Sequence, residues 1–222
     1  MKKLSAVLLS ASFLTLAASA AQAEENRWPN WYIGLHGALT FVGEEDIDDN
    51  LAVSGLDADS GWAYGATVGY RPPSATGEWS NMRMEVEWHV QDSDIDKIQT
   101  PTGGIAGTGS VRVNAGLFNV FYDAVTSMPE WRPYVGVGVG FASMNLKNTN
   151  AAFVSGGDSD TVFAWDMQAG LSYLPQWLPY TEWTLGYRYF ATSDAKFGYA
   201  TGGKYSVEYD SHNIEAGVRF LF

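Results

Sequence analysis

The chain has no cysteine, which excludes a disulfide framework and a cysteine-linked lipid anchor. Cations are scarce: 13 Lys and Arg stand against 25 Asp and Glu, a formal charge of −12. With that balance and no basic stripe, nucleic acid is excluded as a partner class. Beyond the N-terminal segment, no stretch approaches the roughly 20 apolar residues of a membrane helix. What the chain does have is aromatic residues, 14% of the sequence, and 24 glycines.

The N-terminus has its own grammar. Lys2 and Lys3 form a basic start, Leu4 to Ala18 an apolar stretch, and Ala21-Gln22-Ala23 a small-residue cleavage site. That is the three-part pattern of a secretory signal peptide. Residues 1–23 are therefore expected to be cleaved after export through the Sec pathway, leaving 24–222 as one domain.

The remainder is dominated by period-two alternation, the mark of half-buried strands. "WYIGLHGALTF" puts Trp31, Ile33, Leu35, Gly37, Leu39 and Phe41 on one face. "WAYGATVGY", "MRMEVEWHV", "PYVGVGVGFA", "TVFAWDMQAGLSY", "EWTLGYRY" and the closing "HNIEAGVRFLF" repeat the pattern. None of these segments has Asp, Glu, Lys or Arg on its apolar face. An eighth, "VRVNAGLFNVFY", begins with Val111, Val113 and Ala115 on the apolar face and then loses phase. Either Asn119 turns outward or a bulge near Gly116 moves Phe118, Val120 and Tyr122 there.

The connections alternate too. Residues 43–60, 92–110, 147–160 and 192–210 read as long polar loops, whereas 71–81, 123–132 and 174–180 are shorter and contain Pro. The shorter links carry Trp79, Trp131 and Trp177, with Trp28 and Trp31 beside the first strand at the same end. Long loops at one end and an aromatic belt at the other are features of a transmembrane barrel.

The second face of each strand decides which face meets water. It reads Gly61, Ala63, Gly65, Thr67, Gly69 on one strand and Tyr134, Gly136, Gly138, Gly140, Ala142 on another. Water-facing strand positions are usually rich in Lys and Glu, and rows of glycine weaken a strand without a compensating contact. Inside a narrow eight-stranded barrel they make room for long side chains from other strands. The long ones are Arg83, Glu85, Glu87, Arg112, Asp166, Glu182, Arg188, Glu215 and Arg219. They are expected to form a mutually paired lumen network, because an unpaired buried charge costs several kcal/mol. The fold expected is all-β: a closed eight-stranded antiparallel up-and-down transmembrane barrel whose oily face meets lipid.

"RPYVGVGVGFA", "LGYRYF" and "HNIEAGVRFLF" resemble the small outer-membrane β-barrels of Gram-negative bacteria, the opacity-protein-like and outer-membrane-protein-A-like barrels. The resemblance implies a location in the cell outer membrane and both termini in the periplasm. It also implies that the last strand, with Phe220 and Phe222, is read by the barrel-assembly machinery. No peptidoglycan-binding domain follows Phe222, so no tethering role is expected.

Chemical constellations are few. His36 and His89 have lumen phase and are candidates for a buried site with Asp166 or Glu85. "DSHN", Asp210 to Asn213, holds the residue types of a hydrolytic site, but adjacent strand residues point to opposite faces. The acidic first loop, with Glu44, Glu45, Asp46, Asp48 and Asp49, is a candidate for weak divalent-cation binding, although its spacing matches no calcium-loop pattern. No catalytic residue and no cofactor is expected. The expected role is structural or interactive, with acidic loops facing lipopolysaccharide, host molecules or envelope proteins. A narrow porin is the alternative, and an enzyme acting on lipid A a third reading.

Overall fold

A computed structural model describes residues 30–42, 45–46, 55–58, 60–72, 81–100, 103–128, 130–148, 159–198 and 204–222. The strands are β1 (Trp31–Val42), β2 (Glu45–Asp46), β3 (Gly55–Ala58), β4 (Gly61–Tyr70), β5 (Met82–Thr100) and β6 (Gly103–Asp123). They continue with β7 (Trp131–Asn148), β8 (Ser159–Tyr173), β9 (Thr181–Thr192), β10 (Ala195–Gly198), β11 (Lys204–Val207) and β12 (Asp210–Leu221). Eight of them, β1, β4, β5, β6, β7, β8, β9 and β12, pair in chain order, all antiparallel. The sheet closes because β12 returns to β1, from Tyr32 opposite Leu221 to Val42 opposite Ser211. Backbone bonds between Trp31 and Phe222, 3.2 and 2.9 Å, extend that seam to the last residue. Closure satisfies backbone groups that hydrocarbon cannot.

The alternation read from the sequence sets the faces. Leu35, Leu39, Val86, Phe141 and Leu185 point outward and are exposed, Leu185 by 62%. Soluble monomers rarely expose so continuous an apolar surface. Two aromatic girdles bound it. At the end carrying the termini and short turns, Trp31 meets Tyr70 at 4.8 Å and Trp131 meets Tyr173 at 4.6 Å. At the loop end, Trp62, Tyr64 and Trp88 form one cluster and Trp165 with Tyr189 another. The second girdle was visible in the sequence as Trp62, Trp88 and Trp165, but each sat inside a strand rather than in a link.

Two expectations change. Residues 92–110 are not a loop: β5 runs to Thr100 and β6 starts at Gly103, paired throughout apart from one irregularity between Ile95 and Lys97. Likewise 192–210 contains the β10–β11 hairpin. Strands that have left the membrane need no apolar face, so alternation does not mark them. At 19, 21 and 18 residues, β5, β6 and β7 far exceed the 9–11 or so needed to cross a bilayer.

The second change concerns β6. Its register is continuous against both neighbours through Gly116, with no bulge there. Val111, Val113, Ala115 and Leu117 face inward with Asn119 and Phe121, while Phe118, Val120 and Tyr122 face out. Val111, Val113 and Ala115 therefore lie on the opposite face from the one expected. At the loop end the interior on the β6–β9 side is apolar, so greasy residues mark the inside there and not the lipid side.

Replacing Leu185 by Arg is expected to cost about 2–4 kcal/mol on the lipid face. Thr184→Arg, one residue away and inward, is expected to act through crowding instead. Urea unfolding of both variants in lipid vesicles checks the assignment; a Leu185→Arg barrel as stable as wild type would reverse it.

Candidate functional site in the barrel lumen

Strand phase delivers long polar side chains into a bore that glycines have cleared. A Cβ on Gly69 or Gly136 would overlap the Tyr32 or Phe121 ring. The lumen contents then stack in three layers along the axis.

Nearest the turn end, three arginines meet three carboxylates. Arg83 pairs with Glu85 and donates from Nε to Asp123 at 2.9 Å. Arg71 donates to Glu182 at 2.5 Å, and Arg219 donates to the other oxygen of Glu182 at 3.1 Å. Tyr32 donates its hydroxyl to Glu85 at 2.6 Å. The Arg83 guanidinium lies 3.6 Å from the Phe121 ring centroid, a cation–π contact strengthened by exclusion of water.

The middle layer centres on Arg188. Its two Nη atoms donate to the two oxygens of Glu87 at 2.6 and 2.9 Å, a bidentate pair. Its Nε lies 3.2 Å from Glu215 and 3.7 Å from Asp166. Asn119 donates to Glu87 at 2.6 Å and Gln168 to Asp166 at 3.2 Å. His36 and His89 join the same group, with His36 Nε2 3.3 Å from Glu87 Oε1. A polar cavity of about 10 Å³ lies alongside, lined by His36, Thr67, Gln168, Arg188 and Glu215 among others; it has room for one water.

Toward the loop end one side of the lumen turns apolar, while Thr40, Gln91, Ser211 and Asn213 keep the other side hydrogen-bonded. Val113, Ala115, Leu117, Ala142, Met144, Ala164 and Phe190 form one buried cluster. Tyr209, which precedes β12, reaches across the mouth and accepts a hydrogen bond from Gln91 Nε2 at 2.6 Å.

Of the nine expected lumen charges, eight are inside: Arg83, Glu85, Glu87, Asp166, Glu182, Arg188, Glu215 and Arg219. Arg112 is not. It faces outward at the rim, half exposed, and forms a two-pronged pair with Asp92 at 2.6 and 3.1 Å. Its assignment fell with the phase of β6. Two residues that had been placed in connecting links take part: Arg71, just past β4, and Asp123, which continues the inward phase of β6. Of the DSHN residues, Ser211 and Asn213 point inward and bond to each other at 3.2 Å, whereas His212 points out to Tyr187. Glu44, Asp48 and Asp49 lie outside the described residues, and Glu45 and Asp46 form β2 without described side chains. Phe220 faces lipid.

The sequence model of the family described as "outer membrane protein beta-barrel domain" matches residues 8–220. This chain belongs to that family. Solved outer-membrane proteins superpose on the closed eight-stranded form seen here. The outer membrane protein OprG from Pseudomonas aeruginosa superposes with a TM-score of 0.61 at 16% identity, over 88% of this chain and 98% of that one. The outer membrane protein AlkL gives 0.54 at 18% identity, over 90% and 93%. Neisserial surface protein A gives 0.53 at 16% identity, over 86% and 97%. At these identities the likeness is one of fold. No curated protein matches the sequence significantly. Family and fold together place the barrel in the cell outer membrane.

Removing one side of a buried ion pair strands its partner. Glu182→Gln, which weakens the hold on both Arg71 and Arg219, is expected to destabilise the folded barrel by about 3–5 kcal/mol. Arg112→Ala, at the exposed rim, is expected to leave the urea midpoint unchanged. Parallel unfolding curves in detergent check the contrast, and a neutral Glu182→Gln would contradict the layer's structural role.

Proposed function

We propose that this protein is a non-conducting outer-membrane barrel that carries surface-exposed loops for contact with lipopolysaccharide, host molecules or other envelope proteins. The observation that supports this most directly is the sealed lumen. An ion crossing it would have to part the Arg83–Glu85–Asp123 group, then the Arg188–Glu87 fork, then the Phe190–Met144 layer beneath Tyr209. Apolar constrictions exclude ions by remaining dry, and paired long side chains fill the rest of the bore.

The long β5, β6 and β7 support the display reading, since their length beyond the bilayer lifts the loop end above the membrane surface. In this reading the short turns and both termini are periplasmic and the long connections extracellular. Residues 1–23 direct export and are then cleaved, and the Phe220–Phe222 end is engaged during assembly. The acidic first loop, beside phosphorylated lipid, is the surface on which divalent cations would mediate contact.

Single-channel recording in planar bilayers tests the sealed lumen. No steady openings are expected, from wild type or from Tyr209→Ala. Unitary openings whose size changes in Glu182→Gln would establish the channel reading instead. Surface proteolysis of intact cells is expected to cut the long loops and spare the turns. A change in the lipid A mass spectrum between cells with and without the protein would favour the enzyme.

A further inference from the structure

The two ionic layers differ in charge. Around Arg83, three arginines meet three carboxylates, and formal charges cancel. Around Arg188, one arginine meets Glu87, Asp166 and Glu215, leaving the layer two positive charges short among the described residues. The same layer holds buried acceptors without a hydrogen-bond partner: Asn119 Oδ1, Asp166 Oδ1 and Glu215 Oε2.

Two protonated histidines would supply the missing charge, but the geometry opposes it. His89 Nδ1 lies 2.9 Å from Arg188 Nη1, so it accepts rather than donates. His36 Nε2 lies 3.3 Å from the same nitrogen.

We propose that the layer is a binding site for one divalent transition-metal ion of the zinc class, with His36 Nε2, Glu87 Oε1 and His89 Nδ1 as ligands. Their mutual separations are 3.3, 3.3 and 3.5 Å. Ligands about 2.0–2.1 Å from a tetrahedral zinc stand about 3.3–3.4 Å from one another. Two imidazoles and a carboxylate suit that ion, with the fourth position left for a water. His89 Nε2 faces Gln91 Oε1 at 3.5 Å, the outer partner that fixes a ligating ring.

Gly65 makes the triad reachable. It lies in register between His36 on β1 and His89 on β5, and a Cβ there would come within 2.5 Å of His36 Nε2. The His36 ring leans over β4 at that position, where a Cβ would also meet the Trp88 carbonyl oxygen.

Arg188 is the competitor. Its Nη1 holds the single lone pair of His89 Nδ1, so metal entry requires the guanidinium to shift toward Glu215 and Asp166, already within reach of Nε. The ion then supplies the two missing charges. The site is independent of whether the barrel conducts.

The test is refolding the mature full-length barrel in detergent with Co²⁺, with heat-modifiable gel mobility as the check on folding. Wild type and His212→Gln, which changes the outward histidine, are expected to bind one Co²⁺ with intense tetrahedral ligand-field bands displaced by Zn²⁺. His36→Gln is expected to lose the bands, and Gly65→Ala to weaken binding about 10–100-fold. Absence of such bands in folded wild type, or their survival in His36→Gln, overturns the proposal. If His36→Gln does not fold, X-ray absorption of Zn²⁺-loaded wild type decides. Two imidazole nitrogens at about 2.0–2.1 Å support the site, and an all-oxygen shell refutes it.

Discussion

Hydrocarbon offers no hydrogen-bond partner to a peptide group, and that constraint organises this molecule. A sheet immersed in lipid must leave no open edge, so β12 must find β1 along its whole length, and it does so from Val42 to Trp31. Closure then inverts the usual distribution of residues. Apolar side chains such as Leu39 and Leu185 turn outward, and ionic ones such as Arg83, Glu182 and Arg188 are confined inside. A soluble protein with these exposures would aggregate; here the exposed face is the solvated one, and lipid is the solvent.

Confinement changes what the charges do. A surface ion pair contributes little, but a guanidinium buried in the lumen has given up most of its hydration, so each must be surrounded. The layer around Arg83 achieves this with equal numbers and with aromatic rings, Phe121 and Tyr134, against the guanidinium. The layer around Arg188 does not balance in this way: it holds a surplus of carboxylate beside two histidines. Glycines belong to the same economy of space: Gly69 and Gly136 exist for the Tyr32 and Phe121 rings, and Gly65 for the His36 ring.

The interior also changes character along its axis. Salt bridges dominate from the turn end to the middle, and aliphatic packing under Tyr209 takes over toward the loops. On the outside the order reverses, with Arg112 exposed and paired to a half-buried Asp92 where the apolar band ends. The strand β6 passes through both inversions, which is why its pattern lost phase on reading while its backbone kept it.

What the amino-acid order determined alone is the number of barrel strands and, except on β6, their two faces. A period of two needs only neighbours in sequence, so Leu185 outward and Glu182 and Arg188 inward were legible from "EWTLGYRY". The ionic inventory was legible for the same reason, apart from Arg112, whose rim position lies beyond the membrane rule. Arg71 and Asp123 were missed because each sits just past a strand end, where only the position of the opposite wall shows that it reaches the bore. The partners themselves came from tertiary structure. Glu87 meets Arg188 across 101 residues and Glu182 meets Arg71 across 111, because the shear of a closed sheet, and no local pattern, decides which inward residues share a level.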